Sequence, residues 1–159
     1  MCAKYRKGHF EGVLDVMDRL TKKISPKYIF MGIKDYQQLY LVKNYIEKKY
    51  ECKVVPCKTI RNSNKLALSS RNLLLNKKAM IQAESLTKDL IKFKKDLVNV
   101  KNIKNSLNSK KKELSKLYNI FIEYLELRNK KTLKRIYNNK CSKLFISYYL
   151  NNVRLIDNF

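Results

Sequence analysis

Residues 65–75 of the 159-residue chain read KLALSSRNLLL. The adjacent hydroxyls of Ser69 and Ser70, the planar guanidinium of Arg71 and the carboxamide of Asn72 make a set of hydrogen-bond donors suited to phosphate oxygens, and an arginine fork can grip two such oxygens at once. The plainer reading is a helix N-cap ahead of a leucine run, and the tetrapeptide by itself favours the cap. A second stretch, GIKDYQQL over residues 32–39, falls where a strand is expected to end and a helix to begin, the edge at which open α/β sheets bind ligands. There Gly32 allows close backbone approach, Lys34 offers a point charge for phosphate, and the helix start near Asp35 presents free amides. Asp35 and Gln38 also have capping-box spacing, which would account for both as helix starters. The readings are compatible, and neither identifies a ligand. Arg6, His9 and Phe10 in RKGHF speak more weakly, since a single histidine more often serves as a structural hydrogen-bonder than as a base.

The elements that must hold these residues follow from hydrophobic period. Val13, Leu14, Met17, Leu20 and Ile24 recur at helical spacing from Phe10 to Ile24, and Ser25-Pro26 closes that segment. YIFMG (Tyr28 to Gly32) is a short apolar run ended by glycine. A helix through Leu39, Leu41, Val42, Tyr45 and Ile46 follows, then KVVPC (Lys53 to Cys57) as a second short strand. This helix–strand alternation is the rhythm of a doubly wound α/β sheet. Past Pro56 the character changes. A polar connector, TIRNSNK, leads into the serine stretch, a long helix through Met80, Ala83, Leu86, Leu90 and Phe93, and a Lys-rich helix from Ile103 to Leu117. Strands are then expected over Ile120–Arg128, weakly over TLKRI (132–136), and over Ser142–Leu150, as a small α+β module with an antiparallel sheet. A domain boundary is placed near Ile60, giving residues 1–60 and 61–159.

Hydrophobic residues make up 45% of the chain, which argues for a folded core. The formal net charge of +23, from 36 Lys and Arg against 13 Asp and Glu, suggests an anionic partner. Yet the lysines are spread along helices among many asparagines and isoleucines, as AT-rich coding sequence would produce, so a solvated lysine coat is preferred to a nucleic-acid footprint. Cys2, Cys52, Cys57 and Cys141 form no CxxC pair and His9 is the sole histidine, which argues against a zinc cluster and for idle thiols in a reducing cytoplasm. No apolar run reaches membrane-spanning length, and MCAKYRKGHF has no signal-peptide core.

Four stretches in order, RKGHFEGV, GIKDYQQL, LALSSRN and VRLIDN, resemble the pantothenate synthetase (pantoate–β-alanine ligase) family, whose runs read approximately RPGHFxGV, GEKDYQQL, DGLAxSSRN and TRLIDN. The resemblance covers essentially the whole chain and corresponds to the C-terminal part of the family's usual length. It implies the C-terminal part of a Rossmann-like nucleotidyltransferase domain (1–60), followed by a small α+β lid domain (61–159). It also implies an ATP- and Mg2+-dependent ligase that joins pantoate to β-alanine through a pantoyl adenylate, releasing AMP and pyrophosphate, on the route to coenzyme A.

Carried over by position, Gly32, Ile33, Lys34 and Asp35 match the family's first ATP-contacting run, and Gln38 matches the glutamine that holds pantoate. Ile60 matches a further ATP contact. Leu68, Ser69, Ser70 and Arg71 match the loop analogous to the KMSKS loop of class I aminoacyl-tRNA synthetases. Lys34, Ser69, Ser70 and Arg71 would stabilise the charge that adenylation builds on the phosphates. Ile33 stands in place of the family's glutamate, Lys7 in place of proline, Asn64-Lys65 in place of Asp-Gly, and Met1 in place of an internal leucine. The family's HIGH-like histidine motif, assigned the general-acid role, has no counterpart in these residues. The expectation is therefore a truncated product, an internal-start product or one half of a split enzyme, acting as a homodimer or with a separately encoded N-terminal half. The alternative is a catalytically incomplete remnant that binds nucleotide or nucleic acid.

Overall fold

The computed structural model describes residues 5–138 and 141–159; Met1 and Cys2, which enter the expectations above, lie outside them. The chain divides into two compact units, Met1–Thr59 and Ile60–Phe159.

In the first unit, α1 (His9–Ile24) starts after Gly8, whose φ of 73° is left-handed and suits glycine. It ends at Ser25, ahead of Pro26. Strands β1 (Tyr28–Gly32) and β2 (Lys53–Cys57) pair in parallel, Tyr28 opposite Lys53 and Gly32 opposite Cys57. Between them lie a single 3-10 turn, Ile33–Asp35, and α2 (Tyr36–Lys49). Leu39, Val42 and Ile46 come round one face of α2 and bury against Cys52 and Val54, with Ile29 and Met31 of β1 and Val13, Leu14 and Met17 of α1 packed on the same cluster. The alternate residues of β1 face the other way: Tyr28 is 58% exposed and Phe30 69%. Asp35 takes the N-cap position of α2 but makes no side-chain cap bond, so the capping box suggested by its spacing from Gln38 does not form.

The second unit opens with a tight hairpin at 61–67 and a 3-10 helix over Ser70–Leu74, then α3 (Lys77–Asp96) and α4 (Ile103–Leu117). Asn76 and Asn102 cap the two helices, accepting from the amides of Ala79 and Asn105. The stripe Ala79, Ala83, Leu86 and Leu90 of α3 packs with Leu107 and Leu114 of α4 against an antiparallel sheet in the order β3 (Phe121–Asn129), β4 (Ser142–Leu150), β5 (Val153–Asn158). Leu127, Leu144 and Ile146 are fully buried at its centre. A two-residue turn, Asn151-Asn152, joins β4 to β5 with both residues at positive φ, as a primed hairpin turn requires.

Two expectations about strands need correction. TLKRI is not a strand: Leu133 takes a φ of 55°, which breaks the pleat, and only Arg135 bridges back, to Arg128. VRLIDN, read only as a motif, is the strand β5. No helix among the described residues is long and apolar enough to cross a membrane.

Candidate functional site

The expected site residues fall in two places, one in each unit. In the first, β1 delivers Gly32 to the carboxyl edge of the parallel pair, and the chain turns at once into Ile33–Asp35 and α2. Gly32 has ordinary extended geometry (φ −68°, ψ 132°), and a Cβ built on it would meet nothing within 4 Å. Neither backbone strain nor crowding within the chain therefore accounts for glycine here. Ile33 is half-buried and packs on the Leu39–Val54 cluster, which explains how an apolar side chain stands where the family has glutamate. Lys34 and Gln38 are half-buried and Asp35 is exposed. Sequence reasoning passed over the neighbouring Gln37. Its Oε1 is buried without a hydrogen-bond donor among the described residues, beside a cavity of about 450 Å³ that Arg6 and Lys7 help line.

The second place is built more tightly. Asn62 to Lys65 form the hairpin turn, closed by Lys65 N donating to the Asn62 carbonyl (2.9 Å) and by a bridge between Arg61 and Ala67. Lys65 adopts a φ of 73°, the conformation in which a glycine follows a turn of this kind. The lysine that replaces the family's glycine thus keeps the glycine's backbone shape. Glu84 of α3 accepts from the side-chain amides of both Asn62 (2.6 Å) and Asn64 (2.8 Å), tying the turn down.

Beyond the hairpin, Leu68 N donates to the Ile60 carbonyl (2.9 Å), setting two apolar residues opposite one another, Ile60 72% and Leu68 55% exposed. Ser69 is the N-cap of the 3-10 helix, its Oγ accepting from the Arg71 amide at 3.3 Å. The cap reading is therefore realised for one of the two serines. Asn72 turns inward, is buried, and donates to the Ala67 carbonyl (2.9 Å), so its carboxamide holds the turn. Ser70 is exposed. Arg71 Nη1 donates to the carbonyl of Arg154 on β5 (3.3 Å), an anchor that uses one of five guanidinium N–H groups.

β5 supplies the fixed wall for this turn. Arg61 grips Asp157 with both terminal nitrogens (2.7 and 2.9 Å), donates to the carbonyls of Lys65 (2.9 Å) and Asn158 (3.3 Å), and lies over the Phe159 ring. The neighbouring Arg154 pairs with Glu123 (2.7 Å), which also accepts from the Ser147 hydroxyl (2.8 Å). Burial alone would raise the Glu123 pKa, but the hydrogen bonds from Arg154 and Ser147 outweigh it and hold the carboxyl below its ordinary value. Arg61, Asp157 and Asn72 were missed as positioning residues, and the signal for two of them was present in RNSN and VRLIDN.

Comparison with known proteins places these features in one family. The chain is 35% identical over 162 residues to "Pantothenate synthetase" of Flavobacterium psychrophilum, covering 99% of this chain and 57% of that protein. It is 39% identical to "Bifunctional pantoate ligase/cytidylate kinase" of Prochlorococcus marinus, covering 31% of it. The fold is similar to the crystal structure of pantothenate synthetase from Thermus thermophilus, with TM-score 0.90, 27% identity, and coverage of 100% of this chain and 58% of that one. It is also similar to pantoate-beta-alanine ligase from Francisella tularensis complexed with beta-gamma ATP and beta-alanine, with TM-score 0.77, 28% identity, and coverage of 100% and 53%. The chain thus spans little more than half the length of the single-function relatives it matches. The family model for pantoate-beta-alanine ligase matches residues 1–159 throughout, and the chain belongs to the pantoate–β-alanine ligase family.

Proposed function

We propose that residues 1–159 act within a cytoplasmic pantothenate synthetase, contributing phosphate and substrate contacts to the condensation of pantoate with β-alanine through pantoyl adenylate. Residues 1–60 are read as part of its nucleotide-binding domain and 61–159 as its smaller lid domain. The observation that carries the reading is the Leu68–Arg71 turn. Its backbone is pinned by Asn72 within the turn and by Arg71 on β5, while Ser70 stays exposed and Arg71 keeps further donors.

Adenylation of a carboxylate builds negative charge on the α-phosphate and on departing pyrophosphate, and donors fixed in advance stabilise that charge more than the ground state. Lys34 and Arg71 supply positive charge, and the Ser69 and Ser70 hydroxyls donate. Ile60 and Leu68 offer a small apolar surface for the base. Gly32, free of crowding within the chain, leaves room for a ligand against its backbone, where Ile33 and Asp35 follow. Gln38 donates to pantoate.

The described residues contain no group of three or more His, Cys, Asp or Glu that could hold a metal ion. They do not form a protein cage for Mg2+. Residues 1–159 have His9 as their sole histidine, so the reading also needs the HIGH-like motif from outside them, on the same polypeptide, a homodimer partner or a separate chain.

Calorimetry with a non-hydrolysable ATP analogue tests the reading. Lys34→Ala and Arg71→Ala should each weaken binding about tenfold, the scale of one charge-assisted hydrogen bond, whereas Lys78→Ala and Lys112→Ala on the exposed coat should not. Equal losses from both pairs would leave only salt-screened, nonspecific attraction and favour the catalytically incomplete remnant. AMP release that appears on adding a separately expressed segment with the HIGH-like motif would support the ligase reading directly.

A further inference from the structure

Glu84 is half-buried on α3, and its two carboxylate oxygens take one side-chain amide each: Oε1 from Asn62 Nδ2 (2.6 Å) and Oε2 from Asn64 Nδ2 (2.8 Å). Both donors sit in the hairpin turn that precedes the serine stretch. Asn62 Oδ1 accepts from the Leu66 backbone (3.0 Å), and Asn64 Oδ1 accepts from Lys88 Nζ, one turn further along α3 (3.0 Å). Each carboxamide is thus engaged at both of its ends, which fixes its orientation. Exposed acids elsewhere in the chain pair with a neighbour on their own helix, as Asp15 does with Arg19 and Glu113 with Lys110. Glu84 instead reaches partners 22 and 20 positions away, in a turn.

From Asn62 the order runs directly into the candidate site. Asn62 holds the Leu66 amide, Leu66 and Ala67 are buried, the Ala67 carbonyl accepts from the Asn72 side chain, and the Asn72 amide donates to the Ser69 carbonyl (3.0 Å). Ser69, Ser70 and Arg71 lie between those last two bonds. Arg61, the residue before Asn62, is fixed on β5, so two adjacent residues tie the hairpin to different elements, one to β5 and one to α3.

We propose that Glu84 is a positioning residue for the Leu68–Arg71 turn: through Asn62 and Asn64 it holds the hairpin on α3 and keeps the Ser70 and Arg71 donors aimed before a phosphate arrives. Donors that a ligand must first order lose part of their binding free energy to that ordering, and a prior hold removes the loss. The effect on phosphate rests on the ligase reading above, whereas the ordering of the turn does not.

Two measurements on the full chain separate these. In hydrogen exchange, Glu84→Ala should speed the Leu68 and Asn72 amides at least about tenfold beyond any change at Leu144 and Ile146 in the sheet, the scale of losing hydrogen bonds to a charged acceptor. Glu113→Ala should change neither region. Equal acceleration in turn and sheet, or none in the turn, would overturn the proposal. In calorimetry with a non-hydrolysable ATP analogue, the tenfold cost expected of Arg71→Ala in the parent should fall below about threefold in the Glu84→Ala background, because an unaimed guanidinium has little left to lose. An equal cost in both backgrounds would overturn the aiming role and leave Glu84 as a stabilising residue only. No cost of Arg71→Ala in the parent would instead refute the ligase reading of the turn, and exchange alone would then decide the role of Glu84. Asn64→Asp sets a second carboxylate against Glu84 and should reproduce both effects of Glu84→Ala. Combining it with Glu84→Gln should restore both, since the glutamine amide can donate to the new carboxylate while its oxygen still accepts from Asn62. A pair no better than Asn64→Asp alone would overturn the part given to the Glu84–Asn64 contact.

Discussion

The GIKDYQQL and LALSSRN stretches are offered to the same chemistry but are built in opposite ways. The first is local: one strand ends, one 3-10 turn follows, one helix starts, and the ordering comes from β1 and α2 packing on a small apolar cluster. The second is held from far away. Arg61 and Arg71 close on partners 96 and 83 residues later in the chain, and Asn62 and Asn64 on a glutamate 22 and 20 residues later. The serine turn is held at one end by the Arg61–Asp157 ion pair and by the bond from Arg71 to the Arg154 carbonyl, both on β5, where helix packing does not reach. The comparison teaches that the second stretch should be fragile to single polar substitutions, and the first should not.

Removing the anchor gives the largest effect. Asp157→Ala leaves Arg61, with a side chain only 21% exposed, without its carboxylate. It should cost about 3 kcal/mol of stability by urea unfolding, the scale for breaking a buried pair from one side. A loss under about 1 kcal/mol would show that the anchor is ornamental and remove the contrast.

The Glu123 network sharpens the comparison through pH. Its folded pKa lies below the ordinary 4.5, so its contribution is present above 4.5 and fades as pH falls through the folded value. The stability gap between the parent and Glu123→Gln should therefore be constant from pH 7 to about 5 and narrow below 4.5. A gap unchanged down to pH 3 would refute the role of the carboxylate.

A smaller effect, of opposite sign, is expected in the hairpin. Lys65→Gly removes the left-handed penalty of a side chain at φ 73° and should raise stability by about 1 kcal/mol. No gain would mean that the turn is relaxed with lysine. Smallest of all, Lys34→Ala in the first stretch should change stability by no more than about 0.5 kcal/mol while still weakening the ATP analogue. A large loss of stability there would erase the difference between the two stretches.

Much of this fold was legible in period alone. The α4 and β4 boundaries read from apolar spacing coincide with the observed Ile103–Leu117 and Ser142–Leu150, and α1 differs by one residue at its start. What failed was the strand that breaks the hydrophobic rule. In β5 the polar Asp157 and Asn158 are buried beside Leu155 while the apolar Ile156 is only half-buried, so the expected apolar-in, polar-out alternation breaks down. The mistaken strand at TLKRI failed for the reverse reason: its composition suits a sheet, but Leu133 sits in a left-handed turn that side-chain type does not announce. The candidate site divides the same way. Residues offering donors could be named from type and order, whereas Arg61, whose partner lies 96 positions away, became visible only once the chain was folded.

That separation also sets a clock during synthesis. At typical elongation speeds, about 5–20 s pass between the emergence of Arg61 and that of Asp157. Helices α3 and α4 and the β3–β4 pair can form in that interval from nearer contacts, but the serine turn has no wall to close against until the last strand arrives. The turn proposed to grip phosphate is therefore among the last to take its shape on the nascent chain, and a ribosome that stalls once β4 has emerged leaves a unit with much of its core but without the wall this turn closes against.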